Sequence, residues 1–293
     1  MKKALFLYYS QAGQTARALE EFKRGWQKHG ELDVAEIVPQ ESFPFPWRMA
    51  AFFRVFPRSV AGMAPKIEPL NVTWDDYDLV ILGYQVWFLS PSLPIQGFLA
   101  SSDAEHLKGK AVITVLTCRN LWHSATARVR EKLKQIGAVH LGQMTVCELS
   151  PVWASFVTTP RWMLSGKKGA FAFFPPAGIS DSEFAKIEMK GERLARTFQT
   201  GLAKLQGHAD LGPNSAELSL WLMDQIGIRF FRLWTAIILT LTPRQGLAQD
   251  AMLILFRLNL IALIIFVAPC TRIFQVIASR NHKWSVRFER ALT

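Results

Sequence analysis

Cysteine is scarce: Cys118, Cys147 and Cys270 are the only three in 293 residues, far apart and without a CxxC spacing. That excludes a disulfide-stapled scaffold and a zinc ribbon, leaves no metal site to expect, and suits a reducing compartment. Acidic residues are outnumbered, 23 Asp and Glu against 34 Lys and Arg, for a formal net charge of +11. Such an excess invites nucleic acid. The basic residues are spread along the chain, however, and no zinc-finger, homeodomain or RNP-type motif is present, so nucleic-acid binding is not expected. An anionic membrane surface or an anionic cofactor accounts for the charge equally well. Internal repeats and low-complexity tracts are missing. The opening "MKKALFLYY" starts like a signal peptide, but its apolar run is too short and no small-x-small site follows. It reads as a first strand, and the protein is expected to stay in the cytoplasm.

What is present is apolar material in an alternating rhythm. Half of the residues are hydrophobic, enough for a large core. "KALFLYYS", "LDVAEIV", "DDYDLVILG", "GKAVITVLT" and "AVHLGQMTVCEL" read as strands, the first a continuous apolar run suited to a strand covered on both faces. Between and after them, "TARALEEFKRGWQKHG", "HSATARVREKLKQIG" and "SDSEFAKIEMKGERLARTFQTGLAKL" carry apolar residues at helical spacing, the last with Phe184, Ile187, Gly191, Leu194, Phe198 and Leu202 in register. Ser180 or Ser182 is its expected N-cap. This alternation predicts a doubly wound α/β domain on a parallel five-stranded sheet. Ligands of such sheets sit beyond the carboxyl ends of the strands, so the loops after strands one, three and four are the ones to inspect.

The first loop is Ser10, Gln11, Ala12, Gly13, Gln14 and Thr15. It is neither a Walker A motif nor GxGxxG, since it has one glycine and no following lysine at the right spacing. Two readings stay open: a plain strand-to-helix turn capped by Ser10, or a phosphate cradle of hydroxyls and amides at a helix N-terminus. The second, "GYQVWFLSPSLPIQGFL", puts Tyr84, Val86, Trp87 and Phe88 just past a strand end. These side chains either stack on a flat ligand ring or plug the space between sheet and helix. The third, "TCRNLWHSA", offers Thr117, Arg119, Asn120 and His123 as donors. Cys118 reads as a small buried filler, and His123 as either a helix-start residue or a base.

One fold predicts all three loops in this order. The chain resembles the flavodoxin-like family over about residues 1–205, with "YYSQAGQTARA" similar to the S/T-x-x-G-x-T phosphate loop, and "GYQVWF" and "LTCRN" standing where the ring loops belong. The resemblance implies an FMN cofactor, and FMN over FAD rests on it alone. It implies that Ser10, Gln11, Ala12, Gly13, Gln14 and Thr15 hold the phosphate, that Tyr84, Val86, Trp87 and Phe88 line the flavin ring, and that Thr117, Cys118, Arg119 and Asn120 line its pyrimidine side. Arg119 would stabilise negative charge on reduced flavin. His123, with an unperturbed pKa near neutrality, would remove a proton from the substrate. Electron-carrier flavodoxins are usually acidic, so the charge of +11 argues against that role. "VWFLSPSLP", "FFPPAGISD" and the hydrophobic tail also resemble the flavoprotein of dialkylresorcinol biosynthesis. That likeness implies aromatisation of an alkylated cyclohexanedione made by a partner ketosynthase. The alternatives are an NAD(P)H-dependent quinone or flavin reductase, and a flavin-free membrane-surface binding protein.

Two units are expected: a flavodoxin-like domain over 1–207, with insertions at about 39–69 and 150–180, and a hydrophobic, basic helical tail over 208–293. The insertions mix aromatic and basic residues, a composition suited to a lipid surface, to covering an apolar substrate, or to packing on each other. In the tail, 251–268 is apolar apart from Arg257 and Asn259. A central Arg costs about 2.5–3.5 kcal/mol on insertion scales. Basic flanks on both sides favour a re-entrant or interfacial hairpin on the cytoplasmic face over a single span. A buried helix pair forming a homodimer interface or an acyl-chain tunnel is the other reading.

Overall fold

The computed structural model describes residues 2–148, 150–206 and 218–279. The linker at 208–217 and the basic residues Arg280, Lys283, Arg287 and Arg290 lie outside them.

β1 (Lys3–Tyr8) is central, with Ala4, Leu5, Phe6 and Leu7 fully buried because both faces of the sheet are covered. β2 (Glu31–Glu36) pairs in parallel on one side of it and β3 (Leu79–Trp87) on the other. β5 (Ala111–Cys118) and β6 (Val139–Cys147) continue the sheet beyond β3, again in parallel. The strand order β2-β1-β3-β5-β6 is the flavodoxin-like doubly wound arrangement, with its topological switch point between β1 and β3.

α1 (Gln14–Trp26) and α6 (Asp181–Thr200) cover one face. They lie unusually close. A Cβ on Gly25 would fall 1.9 Å from the Glu188 carbonyl oxygen, and one on Gly191 2.4 Å from that of Phe22, so each helix offers the other a bare patch of backbone. Ser180 caps α6, its side chain accepting from the Glu183 amide. The other face carries α3 (Leu93–Phe98), a short helix with proline in its first turn, and α4 (His123–Ile136).

β3 runs further than its sequence suggests. It continues past Gly83 to Trp87 and folds back as β4 (Ser90–Pro91) through a two-residue turn. Phe88 (φ 50°) and Leu89 (φ 57°) both sit in the left-handed region, as such a hairpin turn requires. Without glycine, each costs on the order of 1–3 kcal/mol, sustained only by surrounding packing.

That packing comes from the insertions and the tail. α2 (Met49–Ala61) lies in the first insertion and α5 (Val152–Ser165) in the second. The two insertions meet just before α2, where Phe45 and Trp162 stack edge to face at 5.7 Å and the Trp47 amide donates to the Met163 carbonyl. α7 (Leu218–Leu241) and α8 (Leu247–Ser279) form a helical hairpin. Phe56, Leu89, Phe231, Trp234, Ile238, Leu253 and Phe256 make one aromatic-rich cluster joining α2, the strained turn and both tail helices. Phe56 and Phe256 stack face to face at 3.9 Å. Arg54 grips Asp250 with two parallel hydrogen bonds, 2.8 and 2.5 Å.

Candidate functional site

The first loop, the end of β3 and the end of β5 converge at the switch point. Thr15, in the first turn of α1, brings its Oγ1 2.7 Å from Thr117 Oγ1 and 3.4 Å from Gln85 Oε1. Gln85 and Thr117 are themselves register partners on β3 and β5. One hydroxyl thus ties the start of α1 to the ends of two strands.

Gly13 precedes α1 with φ 79°, and a Cβ there would meet nothing, so glycine is needed for backbone conformation rather than for space. The Ala16 amide donates to Ser10 Oγ at 3.1 Å. The amides of Gln14 and Thr15, in the same turn, have no intrahelical acceptor and carry the positive end of the helix dipole. Ser10 is thus spent as a cap, and Thr15's hydroxyl faces inward. The outward donors at this helix start are backbone amides. Gln11 Nε2 reaches the carbonyls of Phe43 and Pro44, and the Ile179 amide donates to Gln14 Oε1, so both insertions are anchored on this loop. Ala12 stands half-exposed beside it.

Tyr84, expected to line a ring, lies wholly in the core. Its hydroxyl bonds Thr126 and Gln143, and burial pushes its pKa up. Alternation along the extended strand sends it inward under α4. Val86 packs against the same core at its edge. Trp87 is met by Tyr9, Phe43 and Trp47, each edge to face at 5.2–6.1 Å. Phe88 is met by Phe52, Phe53, Phe56 and Phe231. The first insertion therefore covers both rings.

In the third loop Arg119 donates to Ser155 Oγ at 2.9 Å and lies 5.0 Å over the Phe156 ring, turned towards α5. Asn120 Nδ2 shares the same hydroxyl at 3.3 Å. Burial lowers the Arg119 pKa, opposed by the nearby Glu148 carboxylate, whose own pKa burial raises. Cys118 is only partly buried, and its sulfur lies 3.2 Å from that of Cys147.

His123 opens α4, stacked on Trp122 at 4.1 Å, and neither ring nitrogen has a partner among the described residues. Burial pushes its pKa down to about 4. The near-neutral pKa that recommended it as a base is therefore gone; it is a neutral imidazole of low basicity.

Sequence reasoning missed Asp224. It comes from α7, fully buried, and caps α4 from 100 residues away: the Ser124 amide donates to Oδ1 at 3.0 Å, and the Ser124 hydroxyl adds a second bond to the same oxygen. Burial raises its pKa to about 6, opposed by the donors at the start of α4. Gln85, Glu148 and Ser155 were missed as well. The only signal for Asp224 was a lone acid in an apolar helix.

Several buried polar atoms here have no partner among the described residues: Gln14 Nε2, Gln85 Nε2 and Arg119 Nε, all donors, with Glu148 Oε1 and Thr158 Oγ1 on the α5 side. Buried donors are normally satisfied, so water or a ligand has to meet these three; of them, Gln85 stands at the switch point itself, while Arg119 faces α5 and Gln14 faces Gly178. Among the described residues no group of His, Cys, Asp and Glu could hold a metal ion.

No protein-family model matches the chain, and no curated protein matches it. Solved structures similar to it include a flavoprotein in complex with FMN from Lactobacillus acidophilus NCFM, at 22% identity over 50% of this chain and 93% of that one, TM-score 0.42. A flavodoxin from the domain Archaea is 12% identical over 67% and 99%, TM-score 0.40. A WrbA-like flavodoxin from Agrobacterium tumefaciens is 14% identical over 68% and 99%, TM-score 0.39. The fold is flavodoxin-like on its own strand order and register, not on these likenesses.

Proposed function

We propose that the chain is an FMN-dependent oxidoreductase acting on an apolar ring substrate at a lipid surface. The observation that carries this is the helix start at the β1/β3 switch point, whose first amides have no intrahelical acceptor, beside the orphaned buried amide nitrogen of Gln85. Free amides at a helix N-terminus suit a phosphate, and Gln85 and Arg119 suit the carbonyl-bearing edge of a flavin ring. FMN supplies a two-electron acceptor when bound. Gln14 and Thr15 would hold its phosphate through their amides, with Gly13 supplying the turn. Arg119 and Asn120 would place donors at the ring edge, and Arg119 would stabilise negative charge there. Trp87 and Phe88, under the first insertion, would exclude water.

The tail supports the lipid part of the reading. Residues 247–271 of α8 are long and apolar enough to cross a membrane by length and composition, with mean hydropathy 2.6. Leu258, Ile261, Ile265, Phe266 and Ile273 are exposed on it, far more apolar surface than a helix in water keeps. Arg257 lies 5.1 Å over the Phe53 ring and Asn259 bonds the Leu255 carbonyl, so both polar interruptions are accommodated. An interfacial helix on the cytoplasmic leaflet, set by the basic flanks, is the arrangement we adopt.

The substrate reading is narrower and rests on sequence resemblance: oxidation of an alkylated cyclohexanedione to the corresponding resorcinol, with a ketosynthase as the partner supplying the dione. Purified protein loaded with FMN and given a 2,5-dialkylcyclohexane-1,3-dione tests it. Resorcinol formation supports the reading. No resorcinol, with rapid NAD(P)H oxidation by a soluble quinone, replaces it with a quinone reductase.

A further inference from the structure

Cys118 and Cys147 end β5 and β6 and are register partners. Paired Cα atoms on neighbouring strands lie about 4.8 Å apart, inside the roughly 4.4–6.8 Å a disulfide spans. Their sulfurs, free thiols 3.2 Å apart, already point at each other. Closing to a bond of about 2.05 Å asks for little more than 1 Å of combined side-chain movement. Both cysteines are the last residues of their strands. The backbone between them is held by the Glu148 amide donating to the Cys118 carbonyl at 3.0 Å, so the pair is locked in register. Cys118 is the less buried residue of the two, so it is the one that meets an incoming disulfide first.

We propose that Cys118 and Cys147 form a redox-active dithiol at the carboxyl edge of the sheet, closed to an intramolecular disulfide by a low-molecular-weight disulfide. The Cys118 thiolate attacks one sulfur of RS–SR; that bond breaks and the first RSH leaves with a proton. Cys147 then attacks the Cys118 sulfur of the mixed disulfide and the second RSH leaves. Two protein S–H bonds become one S–S bond, and two electrons and two protons end in two molecules of RSH. Burial, the Cys147 thiol, Asp224 and Glu148 push the Cys118 thiol's pKa well above its ordinary value, so the exchange runs through a small thiolate fraction. The proposal stands apart from the flavin reading, because it needs no cofactor.

The test equilibrates the full chain in detergent across glutathione–oxidised glutathione ratios, blocks remaining thiols with a maleimide and maps the peptides by mass. Cys270, exposed on α8, is the internal control. The expected result is joint loss of two of the three reactive thiols, with a 118–147 cross-linked peptide that dithiothreitol reverses. In Cys147→Ser, Cys118 should instead carry glutathione. Cys118 and Cys147 both remaining alkylatable in the most oxidising buffer, or cross-linking only through Cys270 between chains, would overturn the proposal.

Discussion

Asp224→Asn should remove a defined part of the protein's pH dependence. The carboxyl titrates at about 6 in the folded chain, against an ordinary value of 3.8. The native state therefore holds its proton more tightly than the unfolded state does. As pH rises from about 4 to 6, unfolded chains have already released this proton while native ones release it only at cost, so stability falls with pH. A rise of that size is worth about 3 kcal/mol, fully lost above pH 6 and recovered below pH 4. His123 runs the other way: its pKa drops to about 4, so its contribution is present above pH 6.5 and lost as pH falls towards 4. In the wild type the two slopes largely cancel. Asn keeps an acceptor oxygen for the Ser124 amide and has no proton to lose. Denaturant unfolding of wild type and variant at half-unit steps between pH 4 and 7.5 gives the difference directly. It should change by about 3 kcal/mol across that window, leaving the variant visibly acid-sensitive. A difference that stays flat with pH would mean that Asp224 is not held buried against the start of α4, and the docking of the tail described above would be wrong.

Phe256→Ala should cost about 3–5 kcal/mol at the tail interface, since it empties the centre of the stack on Phe56. Limited trypsin digestion would then cut at Arg229, Arg232 and Arg244 faster than wild type, and an unchanged rate refutes the packing. His123→Gln should leave turnover within about threefold, because a buried imidazole of low basicity is a weak base; a loss on the order of a hundredfold or more with flavin still bound would restore it to that role. Full-length protein should float with liposomes containing anionic lipid, and a chain truncated after residue 246 should not. Equal flotation of both, or a tail-dependent dimer that ignores liposomes, would argue against the lipid surface.

Much of this was legible before the fold was. Five apolar runs at the right rhythm gave five strands, and their order named the loops to inspect. The register of Phe184, Ile187, Gly191 and Leu194 gave α6. The errors have physical causes. Gly83 reads as a strand end, yet it is glycine because a Cβ there would lie 2.7 Å from the Phe6 ring. The strand runs on through residues with high β-propensity and carries Tyr84 into the core. Asp224 is a helix cap supplied across 100 residues, and no local period encodes it. Cys118 and Cys147 look unrelated in the sequence and become neighbours only once β5 and β6 are paired in register. Thr15, Gln85 and Thr117 are the same case: each loop was named, and their meeting at one hydroxyl follows from strand register alone.

The central claim is that the helix start after β1 holds a flavin phosphate, and an absorption spectrum tests it most directly. The detergent-extracted protein would be measured with and without added FMN, beside Gly13→Asp. Aspartate there strains a backbone at φ 79° and sets a negative charge at the mouth of the site. The expected result is a bound-flavin spectrum in the wild type that is lost in the variant, while far-UV circular dichroism of the two stays the same. No flavin in the wild type after FMN is added, or equal retention in both proteins, would contradict it.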